Sequence, residues 1–301
     1  MRKLFLLLIA ALLVFSGATG LMLAYPLPAR AATNYYVNDG FTTGDIYCAA
    51  IGNDINDGTS TYYPKRTIQA LLDAYNIAPG DTVYIDTGTY SENVTVASQD
   101  SGLILQGAGA ALTIINGGAA GHCLKLDTLT QGTITGITFS NGFDPIGGGI
   151  FVDTSNDIAI TDCIFTGNEA IVYGGAIYAS SSDGLAITGC TFDTNTSALS
   201  GGALLIEDCT GGSLTSCAFT DNGAQHGGGM YIILSEIAVT GCTFTGNSAQ
   251  NAGGILALLA DGTTISGSTF TGNTASEKGG GLLIADADGL TVNDCTFTGN
   301  S

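Results

Sequence analysis

Few side chains in this sequence are equipped to do chemistry, and their spacing restricts what that chemistry could be. Lys278 and Lys125 are the two candidate bases in the main body of the chain. A lysine can take the proton next to a uronate carboxyl when nearby acids hold calcium, but neither lysine has an evident group of aspartates at a regular spacing. Cleavage of a glycosidic bond by water calls for paired carboxyl groups, and the sequence has no Asp-Asp. Both histidines stand among turn-forming neighbours, His122 in GHC and His226 in QHGGG. Asp54, Asn56 and Asp57 precede Gly58 on a short loop and supply oxygen ligands of the kind calcium takes. The same residues also suit an Asx-rich turn. Calcium at Asp54, Asn56 and Asp57 is therefore the one metal entertained, with no other cofactor expected.

Five of the eight cysteines, Cys163, Cys190, Cys217, Cys242 and Cys295, sit two residues before a phenylalanine, and Ser268 takes the same place in a sixth copy. A linear row of thiols does not make the tetrahedron that zinc requires. Parallel Cβ vectors about 4.8 Å apart are also poorly placed for a disulfide, which wants about 3.8 Å. The expectation is a column of buried thiols. Cys48 and Cys123 lie outside the row and could pair in an oxidising compartment; Cys209 has no evident role.

What positions these residues is a repeat. FxxN recurs at Phe165, Phe192, Phe219, Phe244, Phe270 and Phe297, at intervals of 27, 27, 25, 26 and 27 residues. Gly-Gly followed by apolar residues recurs in step at Gly148, Gly174, Gly201, Gly228, Gly253 and Gly280. Two markers sharing one period indicate a solenoid. Within Gly174–Ser200, three short apolar runs are separated by turn residues, and the glycines leave no 3.6-residue periodicity. Leu185 and Ile187 share one parity and Cys190 and Phe192 the other, so a bend at Thr188-Gly189 must return both pairs to the interior.

The fold class is thus all-β: a single-stranded right-handed parallel β-helix with three short strands per coil and a short N-terminal capping helix. Stacking in register turns each alignment column into a ladder. Phe and Cys are expected inside, Asn amides bonded to one another at a turn, and Gly-Gly at a corner where a Cβ would clash or φ is positive.

The chain opens with Arg2 and Lys3, an apolar run from Leu4 to Phe15, and Ala29-Arg30-Ala31. This reads as a signal peptide over residues 1–31; the alternative is an uncleaved anchor, since Leu4–Tyr25 is just long enough to span a bilayer. Residues 32–120 form an N-terminal cap with a helix at about 67–77 and the first coils, and residues 121–301 the repeated coils. The sequence stops inside a coil, which leaves an open sheet end expected to be prone to association. Beyond residue 31 stand 26 acidic residues against Lys65, Arg66, Lys125 and Lys278, a net charge of −22. That balance excludes nucleic acid, whose binding needs phosphate neutralisation.

The paired GGA[ILV] and FxxN strings resemble the repeats of the polymorphic outer membrane proteins, with GGAI at 174–177 and GGAL at 201–204 matching directly. The resemblance covers about half of the chain and implies a surface-exposed β-helical adhesin, although the barrel that ends those proteins has no counterpart here. GNDINDGTS at 52–60, TIQALLDA at 67–74, PGDTVYIDTGTY at 79–90 and LILQGAGA at 103–110 are similar to the cap and first coil of pectate-lyase-like β-helix proteins.

The expected role is that of a secreted, cell-surface or outer-membrane structural and adhesion protein that binds polysaccharide or a host surface without turnover. The alternatives are a polysaccharide lyase or glycosidase, with Lys278 or Lys125 as its base, and a calcium-stabilised spacer. After each Gly-Gly the strand is apolar on both faces, as in Ile232-Ile233-Leu234 and Leu256-Ala257-Leu258-Leu259. Such a strand is covered by another segment or chain, or else serves as a ligand or self-association surface. Self-association is expected either there or at the open C-terminal coil.

Overall fold

Strand residues alternate inward and outward, so a strand can bury one face only if its chain turns sharply and returns in parallel one coil later. In the computed structural model, which describes residues 30–301, the chain does this throughout. The signal peptide read at residues 1–31 lies outside the described residues apart from Arg30 and Ala31, and Ala32–Ser301 forms one unit. Its strands stack into three long sheets of ten, nine and eight strands. One coil shows the order: Ile158–Thr161 in the first sheet, Ile164–Thr166 in the second, Glu169–Tyr173 at a corner, and Ile177–Ser180 in the third. The corner strand was not anticipated; it pairs with its neighbours into separate sheets of three and two strands.

In the second sheet register is kept residue for residue, Phe165 pairing with Phe139 and Phe192, and Phe244 with Phe219 and Phe270. The phenylalanine rings stack along the interior with centroids 4.5–5.2 Å apart. Beside them the Asn amides form a buried ladder: Asn168 donates to Asn195, Asn195 to Asn222, Asn222 to Asn247, Asn247 to Asn273 and Asn273 to Asn300, each at 2.9–3.0 Å. The same side-chain oxygens also accept the backbone N–H of the preceding ladder residue, as Asn222 Oδ1 does from Asn195 at 2.9 Å. The ladder thus satisfies the corner's backbone as well as itself.

The turns are made by left-handed residues in columns. Gly189 has φ +64° at the bend expected there. The corner before the third sheet uses glycine in two ways. Gly174 and Gly201 have φ of +62° and +67°, while a Cβ on Gly175 or Gly202 would come within 2.1–2.2 Å of a carbonyl oxygen in the next coil. The close-approach column runs through Gly148, Gly175, Gly202, Gly228, Gly253 and Gly280, so the Gly-Gly strings slide by one position from coil to coil. In one coil the left-handed place is held by Ala252.

At the N-terminal end a helix covers the first coil with Ile68, Leu71 and Leu72, all buried. It spans Ile68–Ala74, shorter than the 67–77 expected. Tyr75 is already extended, and the Asp100 carboxylate takes the N–H of Ile77, drawing the chain away before another turn can form. Thr67 caps the helix by accepting from Ala70, and the Glu92 carboxylate accepts from Ile68 and Gln69.

The doubly apolar strand is covered in large part by this chain's own corners. Tyr178 and Leu205, which point outward, are only 8% and 2% exposed, and they pack in a second apolar cluster with Ala252, Tyr231 and Leu256, against Ile146 and Tyr173.

Candidate functional site

Asp54, Asn56 and Asp57 share one loop, but their groups are directed at the protein. The Asp54 carboxylate accepts the N–H groups of Arg66 and Thr67, Asn56 donates to Pro64 O, and Asp57 accepts from Thr59. At the centre of the loop lies the Lys65 ammonium, 6% exposed overall, which donates to Asp54 O at 2.9 Å and Asn56 O at 2.8 Å. The loop therefore already holds a cation of its own. Among the described residues no three His, Cys, Asp or Glu side chains are grouped as metal ligands.

Lys125 has the carboxylate neighbours that sequence reading did not find for it. It lies in Leu124–Asp127 of the third sheet, where Lys125 pairs with Phe151 and Asp127 with Asp153. Its ammonium is 3.5 Å from Asp127 and 3.4 Å from Asp153, and 5.5 Å from the centre of the Phe151 ring. The signal was present, since Asp153 follows Asp127 by one coil, but coil length varies and the weak early coil gave no marker from which to count. In this setting Lys125 is paired with both carboxylates.

His122, read as a turn residue, adjoins this cluster. Its Nδ1 is 2.9 Å from Gly147 O and its Nε2 is 3.5 Å from Asp144, so both nitrogens face acceptors, and the ring lies 5.5 Å from that of Phe151. Beyond Phe151, Tyr178 stacks at 5.5 Å and donates its hydroxyl to Glu207. Burial, and then the Glu207 carboxylate, push the Tyr178 phenol up. The cluster is thus an ion-pair and aromatic patch across several coils of one face, with Lys125, Asp127 and Asp153 at its surface.

Lys278 is not part of it. It ends the corner strand Thr274–Lys278, pairing with Asn251, and is exposed. His226 sits at the same corner one coil before Asn251, whose amide lies 3.4 Å from its Nδ1.

The cysteines are all free thiols. Cys163, Cys190, Cys217 and Cys242 are buried in one column, each facing a carbonyl of its own turn, and Ser268 continues the column by accepting the N–H of Cys242. Cys48 and Cys123 are not joined: Cys48 faces Val37 O and Cys123 faces Ser140 O. Cys209 does have a place. The chain runs Ser155, Ser182, Cys209, Ser235, each accepting the preceding member's N–H, so Cys209 stands where other coils use serine.

The first two sheets present hydroxyl rows to solvent. In the first sheet, Thr161, Thr188, Thr215, Thr240 and Ser266 stand in one register column. In the second, Thr243, Thr269 and Thr296 form one column and Thr245, Thr271 and Thr298 another, on either side of Phe244, Phe270 and Phe297. Rows repeat about every 4.8 Å along the solenoid, and two threonines on one strand lie about 6.7 Å apart. The columns as named carry no charged side chain, although Asp193 stands in line with Thr245 two coils earlier and Glu236 opens the strand that ends at Thr240.

A family model described as right handed beta helix region matches residues 81–270 and, overlapping, 175–301. Comparison with curated proteins gives no significant match. Among solved structures, the pectin methylesterase from Aspergillus niger in deglycosylated form is similar over 88% of this chain and 89% of its own, at 13% identity and a TM-score of 0.48. The pectin methylesterase PemA from Erwinia chrysanthemi is similar over 90% and 91%, at 9% identity and a TM-score of 0.48. PfbA, a surface adhesin of Streptococcus pneumoniae, is similar over 83% and 89%, at 12% identity and a TM-score of 0.37. At these levels the likeness is one of architecture and says nothing of activity.

Proposed function

The chain belongs to the right-handed β-helix family, and from that premise we propose that it is an exported, surface-displayed structural and adhesion protein that binds neutral glycan or a similar hydroxyl-rich surface without turning it over. The observation that carries this reading is the pair of uncharged hydroxyl rows on the first and second sheets. Threonine offers a donor, an acceptor and a methyl group, and the stacked rings and Asn ladder beneath hold successive threonines in fixed register. A surface already ordered loses little entropy on binding. The charge of −22 disfavours polyanionic partners. The likeness of the GGA[ILV] and FxxN strings to polymorphic outer membrane protein repeats, and the N-terminal signal, support display at the cell surface.

A second reading is favoured by one observation, the Lys125 cluster with Asp127 and Asp153, which is the kind of ionisable group a polysaccharide-acting enzyme would use. The two are separated by incubating the protein with polygalacturonate, alginate and neutral glycans, with and without calcium. Retention on a neutral glycan with no new reducing or unsaturated ends is the expected result. New ends that disappear in Lys125→Ala or Lys278→Ala would establish the enzyme instead.

A further inference from the structure

One turn of the solenoid breaks the rule that governs the others. The corner that follows each strand of the third sheet uses a left-handed residue, and in most coils it is polar: Thr154, Ser181, Asp208 and Asp286, with φ between 47° and 53°. In two successive coils the place is taken by Leu234 and Leu259, at φ 51° and 50°. A branched apolar side chain in that conformation is an outlier. Nor does burial explain it, because Leu234 and Leu259 are 52% and 45% exposed. They are neighbours, Leu234 donating its N–H to Leu258 O, and the residues before them, Ile233 and Leu258, are register partners that are themselves only partly buried. The result is a four-residue apolar patch at the edge of the third sheet, held in strained backbone and open to solvent. Strain that persists without a packing reason points to function.

The charges around the patch say what could cover it. Asp208 and Asp286 occupy the same corner column one coil before Leu234 and one coil after Leu259, while Glu236 and Asp261 lie two residues beyond the leucines; all four are exposed. Lys278 is at the opposite end of this sheet's strands, on the corner strand. An acidic rim around an apolar centre repels a second copy of a chain so negative and matches a segment with the reverse charge. We propose that the patch of Ile233, Leu234, Leu258 and Leu259 is a docking site for a polypeptide segment carrying apolar side chains flanked by lysine or arginine. The site is separate from the hydroxyl rows and stands or falls independently of the glycan-binding reading.

The test uses a synthetic amphipathic Leu/Lys peptide and its charge-reversed Leu/Glu counterpart, titrated into the whole protein and into the double variant Leu234→Asn/Leu259→Asn. Asparagine tolerates the left-handed conformation, so this variant keeps the fold and loses the apolar surface. A further variant, Asp208→Asn/Asp286→Asn, removes part of the rim. The proposal expects the protein to bind the Leu/Lys peptide and not the Leu/Glu peptide, about tenfold more weakly in the leucine variant, with a shallower salt dependence in the rim variant. Equal binding by wild type and leucine variant would reduce the effect to bulk charge and overturn the proposal. So would comparable affinity for both peptides, or a wild-type dimer in sedimentation that the leucine variant dissolves, which would assign the patch to a second copy.

Discussion

Asn222 shows how much one side chain carries here. Its amide donates to Asn247 and to Phe192 O, and its oxygen accepts both the N–H and the amide of Asn195, all within the interior. Asn222→Ala removes those partners and leaves buried donors and acceptors unmatched, at a cost on the order of 3 kcal/mol. Asn300, at the last rung and half-buried, should cost about 1 kcal/mol when changed to Ala. Urea unfolding midpoints of the two variants measure the difference. The thiols make a pH prediction. The neighbouring Cys163 thiol and burial push Cys190 up to about 12, and the Cys190 thiol and burial do the same to Cys217. Folded thiols therefore keep protons that unfolded ones release above an ordinary value near 9.0. Their contribution to stability is complete below pH 9 and is lost as pH rises toward about 12. Thermal melts of wild type and Cys190→Ala/Cys217→Ala across that range should converge as the pH climbs. If the gap between them is the same at every pH, the thiols do not titrate as described.

Among the elements, the corners decide which changes are tolerated. A methyl group on Gly175 would meet the Gly202 carbonyl oxygen at 2.1 Å, so Gly175→Ala forces two coils apart and should prevent folding or cost more than about 3 kcal/mol. Gly272 instead has a φ of +61° with open space around it, and Gly272→Ala should cost only the backbone term, about 1 kcal/mol. Parallel thermal melts of the two variants test this, and similar losses would refute the distinction. The corners also mark the limit of what the sequence discloses. The Phe, Cys and Asn columns are legible because each is one residue type at a nearly constant interval. Cys209 is not, because its column is otherwise serine, and neither is Ala252, which fills a glycine place. The Lys125 cluster is hidden for a related reason: Asp127 and Asp153 meet only once the register of the early coils is known. The corner strands are invisible because a segment such as Glu169–Tyr173 has no pattern of its own and pairs only because its neighbours hold it there.

Across Ala32–Ser301, the ladders make a solenoid whose faces differ in character. Two carry uncharged hydroxyl rows, and the third carries the ionic cluster at one end and the acidic-rimmed leucines toward the other. Because each coil contacts mainly its neighbours, a face can be altered without disturbing the rest. The claim that matters most is that the hydroxyl rows bind an uncharged glycan surface without cleaving it. The direct measurement is depletion of the protein from solution by insoluble neutral polysaccharide, comparing wild type with Thr243→Lys/Thr269→Lys/Thr296→Lys while circular dichroism monitors the fold. The account predicts that wild type is retained, that the lysine variant stays in solution with an unchanged spectrum, and that neither releases sugar ends. Equal retention of both proteins, or release of sugar ends by wild type, would contradict it.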